Sequence, residues 1–81
     1  MPFNKKVFGE RLREVRKQRG EAQTAIAKLI DVSVPQVSDM ENGKKTTTVE
    51  KMALICEHYR VSADYLLGLT DDPTPWRRRE V

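Results

Sequence analysis

The chain has 81 residues, of which 38% are hydrophobic, 33% charged and only 6% aromatic. This length supports one compact domain with a small aliphatic core, and it excludes a large catalytic cavity. The longest apolar run covers residues 52–56, whereas about 20 residues are needed to cross a bilayer, so no membrane span is predicted.

The net charge of +3 is distributed in blocks. Residues 1–20 contain seven Lys or Arg and two Glu, a local charge of +5, whereas residues 21–43 have a local charge of −3. A basic block suits a polyanionic partner, and it equally suits a solvated helix face. Charge alone therefore leaves both interpretations open.

The cysteine content points to a reducing compartment. Cys56 is the single cysteine, so neither an internal disulfide nor a multi-thiolate metal site is expected. The first residues are basic, but the apolar stretch typical of a secretory signal does not follow them. We therefore expect a cytoplasmic protein that uses no cofactor and no metal ion.

Two helices are predicted in the first 30 residues. The first runs from about Lys5 to Gln18, with apolar residues at helical spacing: Phe8, Leu12 and Val15. The second runs from about Gln23 to Ile30 and begins without a good capping side chain. Its inward-facing residues are predicted to be Ile26, Leu29 and Ile30.

Three more helices follow. Ser33 and Gln36 form a capping-box pair at the start of the third, which ends at Asn42. The fourth begins at Thr47 or Thr48, with a second capping box formed by Thr47 and Glu50. Its buried stripe is predicted to be Val49, Met52, Ala53, Cys56 and Tyr59.

The fifth helix is capped by Ser62 and stopped by Gly68. No alternating strand pattern accompanies these helices. We therefore predict an all-α domain of five helices over residues 1–69, followed by a Pro- and Arg-rich tail over residues 70–81.

The connection between the second and third helices consists of residues 31–33, a length typical of a helix-turn-helix. A generic turn between two packed helices has the same spacing, so length alone leaves DNA binding open. Arg16 continues the apolar face of the first helix, and Glu41 continues that of the third. Because a buried charge requires a partner, we predict that Arg16 and Glu41 form a structural ion pair.

The chain resembles the Cro and phage-repressor type of helix-turn-helix, the XRE-like regulators. The resemblance covers residues 8–68, and its motifs are Leu12-Arg13-Glu14-Val15-Arg16, Gln23 with Ala27, Val32-Ser33, Glu41-Asn42-Gly43 and the run from Val61 to Gly68. It implies a five-helix domain whose third helix enters the DNA major groove. It also implies transcriptional regulation, usually by a dimer.

The resemblance places phosphate contacts on Gln23 and Asn42, followed by Lys44 and Lys45. Helix ends, free amides and lysines are all suited to phosphate oxygens. Ordinary capping by the two amides, and a solvated loop for the two lysines, are the structural alternatives.

The base-reading positions of the family match Val34, Pro35, Ser38 and Asp39, and Gln36 lies on the flank of the same surface. Gln36 suits adenine or a phosphate, Asp39 suits the amino group of cytosine, and Val34 or Pro35 suits a thymine methyl group. This surface departs from expectation because it has an acid and no Lys or Arg. Glu21, Ala22 and Asp31 also depart from the usual pattern, although Asp tolerates the left-handed backbone conformation that the turn needs.

An enzymatic role is not predicted. His58, Ser62 and Asp64 lie close in sequence, but no nucleophile elbow or oxyanion pattern accompanies them. We interpret Ser62 as a cap, His58 as facing solvent and Cys56 as buried and inert.

The tail places Trp76, the single tryptophan, beside Arg77, Arg78 and Arg79. An exposed Trp usually has a partner, and packing within the chain or in a dimer is favoured over DNA contact.

The sequence thus favours a repressor that binds double-stranded DNA as a homodimer at a pseudo-palindromic operator, with no membrane and no small-molecule ligand. The alternative is an antitoxin-like or anti-repressor protein-interaction module on the same scaffold.

Overall fold

The computed structural model describes residues 3–75, and within that range it contains five α-helices and no strand. The helices are α1 (Lys5–Gln18), α2 (Gln23–Ile30), α3 (Val34–Glu41), α4 (Val49–Tyr59) and α5 (Ala63–Leu67). The all-α prediction is confirmed, and α1 and α2 have the expected bounds. None of the helices in this range is long and apolar enough to span a membrane.

Side-chain caps determine where most of the helices begin. Asn4 caps α1, Ser62 caps α5, and Ser33 and Gln36 form the predicted capping box at α3. In contrast, α2 begins after Ala22, which offers no capping side chain, as predicted. The first backbone amides of α2 therefore form no hydrogen bond with the side chain of the N-cap residue.

The start of α4 agrees with the prediction of Thr47 or Thr48, but the predicted cap is wrong. Thr48, not Thr47, is the N-cap, and its hydroxyl oxygen accepts a hydrogen bond from the amide of Lys51 at 3.2 Å. The predicted capping box of Thr47 with Glu50 is therefore absent. Three consecutive threonines precede this helix, so the sequence offered neighbouring residues with the same capping chemistry.

The buried face of α4 also differs from the prediction. Val49 is 85% exposed and Ala53 is exposed, whereas Ile55, which the predicted stripe omitted, is buried. Tyr59 is buried as predicted. Met52 and Cys56 pack against the core while remaining partly exposed. Because residues 52–56 are all apolar, helical spacing fitted more than one face, and the packing of α4 on α2 and α5 selects the face that is buried.

The core lies between α1 and the other four helices. Its fully buried side chains are Phe8, Leu12, Ile26, Ile30, Val37, Ile55 and Leu66. The first helix packs on α3 and α5, and α2 packs on α3 and α4. This arrangement leaves one side of α3 uncovered by the described part of the chain.

Gly9 permits a close crossing of α1 and α3. A Cβ atom at this position would lie 2.3 Å from the carbonyl oxygen of Met40 and 2.6 Å from that of Glu41. Such distances are far inside van der Waals contact, so a larger residue would push the two helices apart. The crossing brings the end of α3 against the middle of α1.

Residues 70–75 run back along the domain. The guanidinium of Arg11 donates to the carbonyl oxygens of Tyr65 and Thr70 and pairs with Asp71 at 2.8 Å. The amide of Ser62 donates to the carbonyl oxygen of Pro73 at 3.0 Å. The boundary after residue 69 stays a prediction, and the residues of interest in the tail, Trp76 and Arg77 to Arg79, lie outside the described residues.

Candidate nucleic-acid interface

The turn between α2 and α3 is compact because Asp31 adopts a left-handed backbone conformation, with φ of 57°. The amide of Val32 then donates to the carbonyl oxygen of Ala27 at 3.0 Å, which closes the end of α2. Ser33 caps the next helix immediately. These three residues therefore turn the chain from α2 into α3 without a longer loop.

The two sides of α3 differ in exposure. Val37, Met40 and Glu41 are buried against the domain. The five predicted base-contacting residues all retain solvent exposure: Val34, Pro35 and Gln36 are exposed, and Ser38 and Asp39 are partly exposed. The structure thus brings these five residues onto the outer side of one helix.

The side chain of Gln36 is already engaged within the protein. Its Oε1 atom accepts a hydrogen bond from the amide of Ser33 at 2.8 Å and from the hydroxyl of Ser33 at 3.2 Å. A bidentate contact with adenine uses both the oxygen and the nitrogen of the amide. Gln36 would therefore have to release the capping box before it formed such a contact.

The predicted ion pair between Arg16 and Glu41 is present and buried. The two nitrogens Nε and Nη2 of Arg16 donate to the two carboxylate oxygens at 2.7 and 2.9 Å. The side chain of Glu41 is fully buried, and that of Arg16 is 10% exposed. Arg16 also donates to the carbonyl oxygen of Glu21 at 2.8 Å, which ties the start of α2 to the same pair.

Charge and hydrogen bonding shift the pKa values of this pair. The hydrogen bond with Glu41 raises the pKa of Arg16 above its ordinary value. Burial favours the protonated form of Glu41, but hydrogen bonds from Arg16 and Gln23 outweigh it and lower the pKa of the carboxyl. Both groups are therefore charged at neutral pH.

The two amides predicted to bind phosphate are both linked to this ion pair by hydrogen bonds, one directly and one through Arg13. The Nε2 atom of Gln23 donates to Glu41 at 3.0 Å. The Oδ1 atom of Asn42 accepts from Nη2 of Arg13 at 2.8 Å, and its Nδ2 atom donates to the hydroxyl of Ser38 at 3.4 Å. Gln23 thus contacts the carboxylate of Glu41 directly, whereas Asn42 is connected to it through Arg13, whose Nε atom lies 3.5 Å from Oε1 of Glu41.

Lys44 and Lys45 follow α3 and are exposed. The amide of Lys44 donates to the carbonyl oxygen of Asp39 at 2.9 Å, so the backbone at this point is fixed to the last turn of α3. Lys45 lines a shallow groove together with Gln36 and Lys51. The two lysines therefore add positive charge next to the outer side of α3.

A helix-turn-helix family model matches residues 12–66, which include all of α2, α3 and α4. The chain belongs to the helix-turn-helix family. This family consists of transcriptional regulators and is not a class of enzymes. It is the family that the sequence motifs indicated.

Curated relatives of this helix-turn-helix chain include two named transcriptional regulators. The HTH-type transcriptional regulator PrpR of Mycobacterium tuberculosis is 35% identical over 69 residues, which cover 85% of this chain and 14% of PrpR. The uncharacterized HTH-type transcriptional regulator YobD of Bacillus subtilis is 33% identical over 69 residues, which cover 85% of this chain and 62% of YobD. The chain thus spans only part of the length of these relatives.

Solved structures with the same fold include the P22 c2 repressor in complex with a synthetic operator. It is 32% identical, with a TM-score of 0.69 over 74% of this chain and 91% of the repressor. The clp gene regulator ClgR of Corynebacterium glutamicum is 27% identical, with a TM-score of 0.71 over 82% of this chain and 70% of ClgR. These helix-turn-helix proteins share the five-helix arrangement described above.

The sequence did not reveal a second polar cluster, formed by Glu21, His58 and Tyr59. The carboxylate of Glu21 accepts from the hydroxyl of Tyr59 at 2.8 Å and lies 2.9 Å from Nε2 of His58. His58, expected to face solvent, is only partly exposed and packs edge-on against the ring of Tyr59. Because 37 residues separate Glu21 from His58, helical spacing gave no signal for this contact.

Ser62 and His58, which are not predicted to be catalytic, both form contacts within the fold. The hydroxyl of Ser62 accepts from the amide of Tyr65 at 3.0 Å, so it acts as the predicted cap. Burial raises the pKa of the Cys56 thiol. Within residues 3–75, the acidic, His and Cys side chains form no cluster of three or more suited to a metal ion.

Proposed function

We propose that this helix-turn-helix chain binds duplex DNA sequence-specifically and represses transcription as a homodimer on a pseudo-palindromic operator. The observation that carries the proposal is the two-sided α3, whose inner face is fixed by Val37, Met40 and Glu41 while the outer face is free of other described helices. A helix of this kind fits the major groove, which is about 12 Å wide.

Phosphate contacts would orient α3 in the groove. Gln23 begins α2 and Asn42 follows α3, so the two residues stand at the ends of the helix-turn-helix in sequence and near Glu41 in space, and Lys44 and Lys45 extend the positive charge. Contacts of this kind fix register on the duplex without reading sequence. The P22 c2 repressor, to which this chain is similar, was solved in complex with a synthetic operator, and this supports duplex DNA as the partner here.

Sequence would be read by the outer side of α3. In this proposal Asp39 accepts a hydrogen bond from the amino group of cytosine, Ser38 contacts either base of a pair, and Val34 or Pro35 contacts a thymine methyl group. Because this surface has no Lys or Arg, guanine readout is weak and affinity depends on the flanking charges and on dimerisation.

The experiment is selection of binding sites from a randomised duplex library, followed by sequencing. A two-fold dimer should enrich inverted repeats with half-sites about 10 base pairs apart. Selection with Asp39→Asn should change the preferred base at one position of each half-site, whereas Glu57→Gln, an exposed acid on α4, should leave the motif unchanged. Enrichment without symmetry would contradict the dimer and leave a monomeric DNA binder.

The second candidate is a protein-interaction module, such as an antitoxin-like or anti-repressor protein. The acidic outer side of α3 favours it, since Asp39 repels phosphates unless it faces a donor. The engaged oxygen of Gln36 also favours it. If the folded protein enriches no duplex in the selection, this second candidate replaces DNA binding.

A further inference from the structure

The third helix, α3, lacks the positive charge that DNA binding needs. Between Lys28 and Lys44 the chain has no Lys or Arg, and the charged residues of α3 are both acidic. Affinity for a duplex depends strongly on phosphates neutralised by Lys or Arg. The charge that holds α3 against DNA must therefore come from outside this helix, from Lys44 and Lys45 and from neighbouring elements.

Arg13 of α1 lies in the right place to supply it. Its Nη2 atom donates to Oδ1 of Asn42 at 2.8 Å, and its Nε atom lies 3.5 Å from Oε1 of Glu41. Glu41 is already paired through both oxygens with Arg16. Two guanidinium groups thus share one carboxylate, and the cluster has a net charge of +1.

The guanidinium of Arg13 has donors to spare. Its side chain is 41% exposed, whereas that of Arg16 is 10% exposed. A guanidinium carries five N–H donors, and the contacts to Asn42 and Glu41 use one on Nη2 and one on Nε. The remaining donors are available to an anion from the solvent side.

Arg13 also sets the orientation of the neighbouring amide. Because Oδ1 of Asn42 accepts from Arg13, the Nδ2 donors of Asn42 point elsewhere, and only one is used by Ser38. One N–H of the Gln23 side-chain amide donates to Glu41, and its second N–H takes no part in that contact. Arg13, Asn42 and Gln23 therefore each have at least one N–H donor that these contacts do not use.

We infer that Arg13, Asn42 and Gln23 form one binding site for a backbone phosphate of duplex DNA, in which Arg13 supplies the charge and orients Asn42. This inference rests on the proposed function and adds Arg13 to it. A guanidinium binds phosphate through paired N–H donors, so both its charge and its planar shape contribute.

The test is the salt dependence of binding to a mixed-sequence duplex and to a duplex enriched by selection. Arg13→Gln should weaken binding about tenfold on both duplexes, because a phosphate contact carries no sequence information. It should also lower the magnitude of the slope of log K against log salt by about 0.9, the value for one phosphate. The matched control is Arg60→Gln, which removes an exposed guanidinium at the end of α4.

Arg13→Lys separates charge from shape and guards against loss of folding in Arg13→Gln. It should keep the wild-type slope while binding less tightly, since Lys is charged but cannot form the paired contact. A purely structural role for Arg13 would instead change affinity while leaving the slope of Arg13→Gln at the wild-type value, and that result overturns the inference. Equal slope changes for Arg13→Gln and Arg60→Gln overturn it as well. If the wild-type protein binds neither duplex, the proposed function fails together with the inference.

Discussion

The carboxylate of Glu41 lies where α1, α2 and α3 meet. It accepts hydrogen bonds from Arg16 of α1 and Gln23 of α2, while its own backbone ends α3. A buried charge is tolerated when its partners replace the water that it has lost, and here the partners come from two other helices. The position of α3 therefore depends on one side chain at its end.

Replacing Glu41 should destabilise the fold strongly. Glu41→Gln leaves the guanidinium of Arg16 buried without its counter-charge, so the free energy of unfolding should fall by about 3 to 5 kcal/mol. Denaturant unfolding followed by circular dichroism measures the loss. Glu10→Gln, the same change at an exposed site on α1, should cost less than about 0.5 kcal/mol. Similar losses in the two variants would contradict the burial of the pair.

The contact between Tyr59 and Glu21 should make stability depend on acid pH. The hydrogen bond from Tyr59 lowers the pKa of Glu21 below its usual 4.5, and a further contribution comes from His58. Burial, together with Glu21, raises the pKa of Tyr59, so the phenol stays protonated as the donor. The stabilisation is therefore complete above about pH 4.5 and is lost as the pH falls through the lowered pKa of Glu21.

Tyr59→Phe should accordingly lower the free energy of unfolding by about 1.5 to 3 kcal/mol at neutral pH, the range for a hydrogen bond to a charged group. The loss should shrink at an acid pH below the lowered pKa of Glu21, where the carboxylate is protonated. In the Glu21→Gln background the loss should be smaller and independent of pH. A loss of the same size at both pH values would argue against the charged hydrogen bond.

At the scale of the helices, the crossing of α1 and α3 depends on Gly9. In an isolated helix, Gly→Ala stabilises by about 1 kcal/mol. Here the added methyl group meets the carbonyl oxygens of Met40 and Glu41, so Gly9→Ala should destabilise by about 1 to 3 kcal/mol in thermal or denaturant unfolding. Glu10→Ala, at the next and exposed position, should change stability by less than about 0.5 kcal/mol. A stabilised Gly9→Ala variant would mean that the two helices lie further apart.

Helices with a clear boundary signal were predictable from the sequence. The apolar spacing of α1 and the capping box of α3 each had one consistent interpretation. The face of α4 was not predictable, because its apolar residues are contiguous; in the structure Ile55 is buried and Val49 is 85% exposed. Local spacing identifies a helix, whereas tertiary packing chooses its buried side.

The candidate site was predictable to the extent that charge interrupted an apolar face. Arg16 and Glu41 stood out because each lay on a hydrophobic stripe. Arg13 lies on a polar side of the first helix and Glu21 precedes the second, and their partners are 29 and 37 residues away. Nothing in the spacing of exposed polar residues specifies which of them meet across a fold.

For the whole molecule, Arg11 connects the end of the described chain to its first helix. Its guanidinium lies 4.2 Å from the centre of the Tyr65 ring and binds the backbone on both sides of the turn after α5. This contact holds residues 70–73 in position, so that the carbonyl oxygen of Pro73 accepts a hydrogen bond from the amide of Ser62. Arg11 thus links α1 to the residues that follow α5.

Arg11→Ala should release this segment. Hydrogen exchange at the amide of Ser62, which donates to Pro73, should become faster because the carbonyl oxygen that protects it is no longer held. Exchange at the amide of Tyr65, which donates to the hydroxyl of Ser62, should change less. The control variant is Arg19→Ala, which removes an exposed arginine just after α1. Unchanged exchange at Ser62 would show that residues 70–73 are held by other contacts.

The shared carboxylate of Glu41 also limits how the sequence can evolve. A neutral residue at position 41 would leave Arg16 as an uncompensated buried charge, and a neutral residue at position 16 would do the same to Glu41. Each single change lowers the free energy of unfolding, whereas the double change removes both charges and leaves neither of them unpaired. Relatives that lose one charge should therefore have lost both, so that positions 16 and 41 vary together.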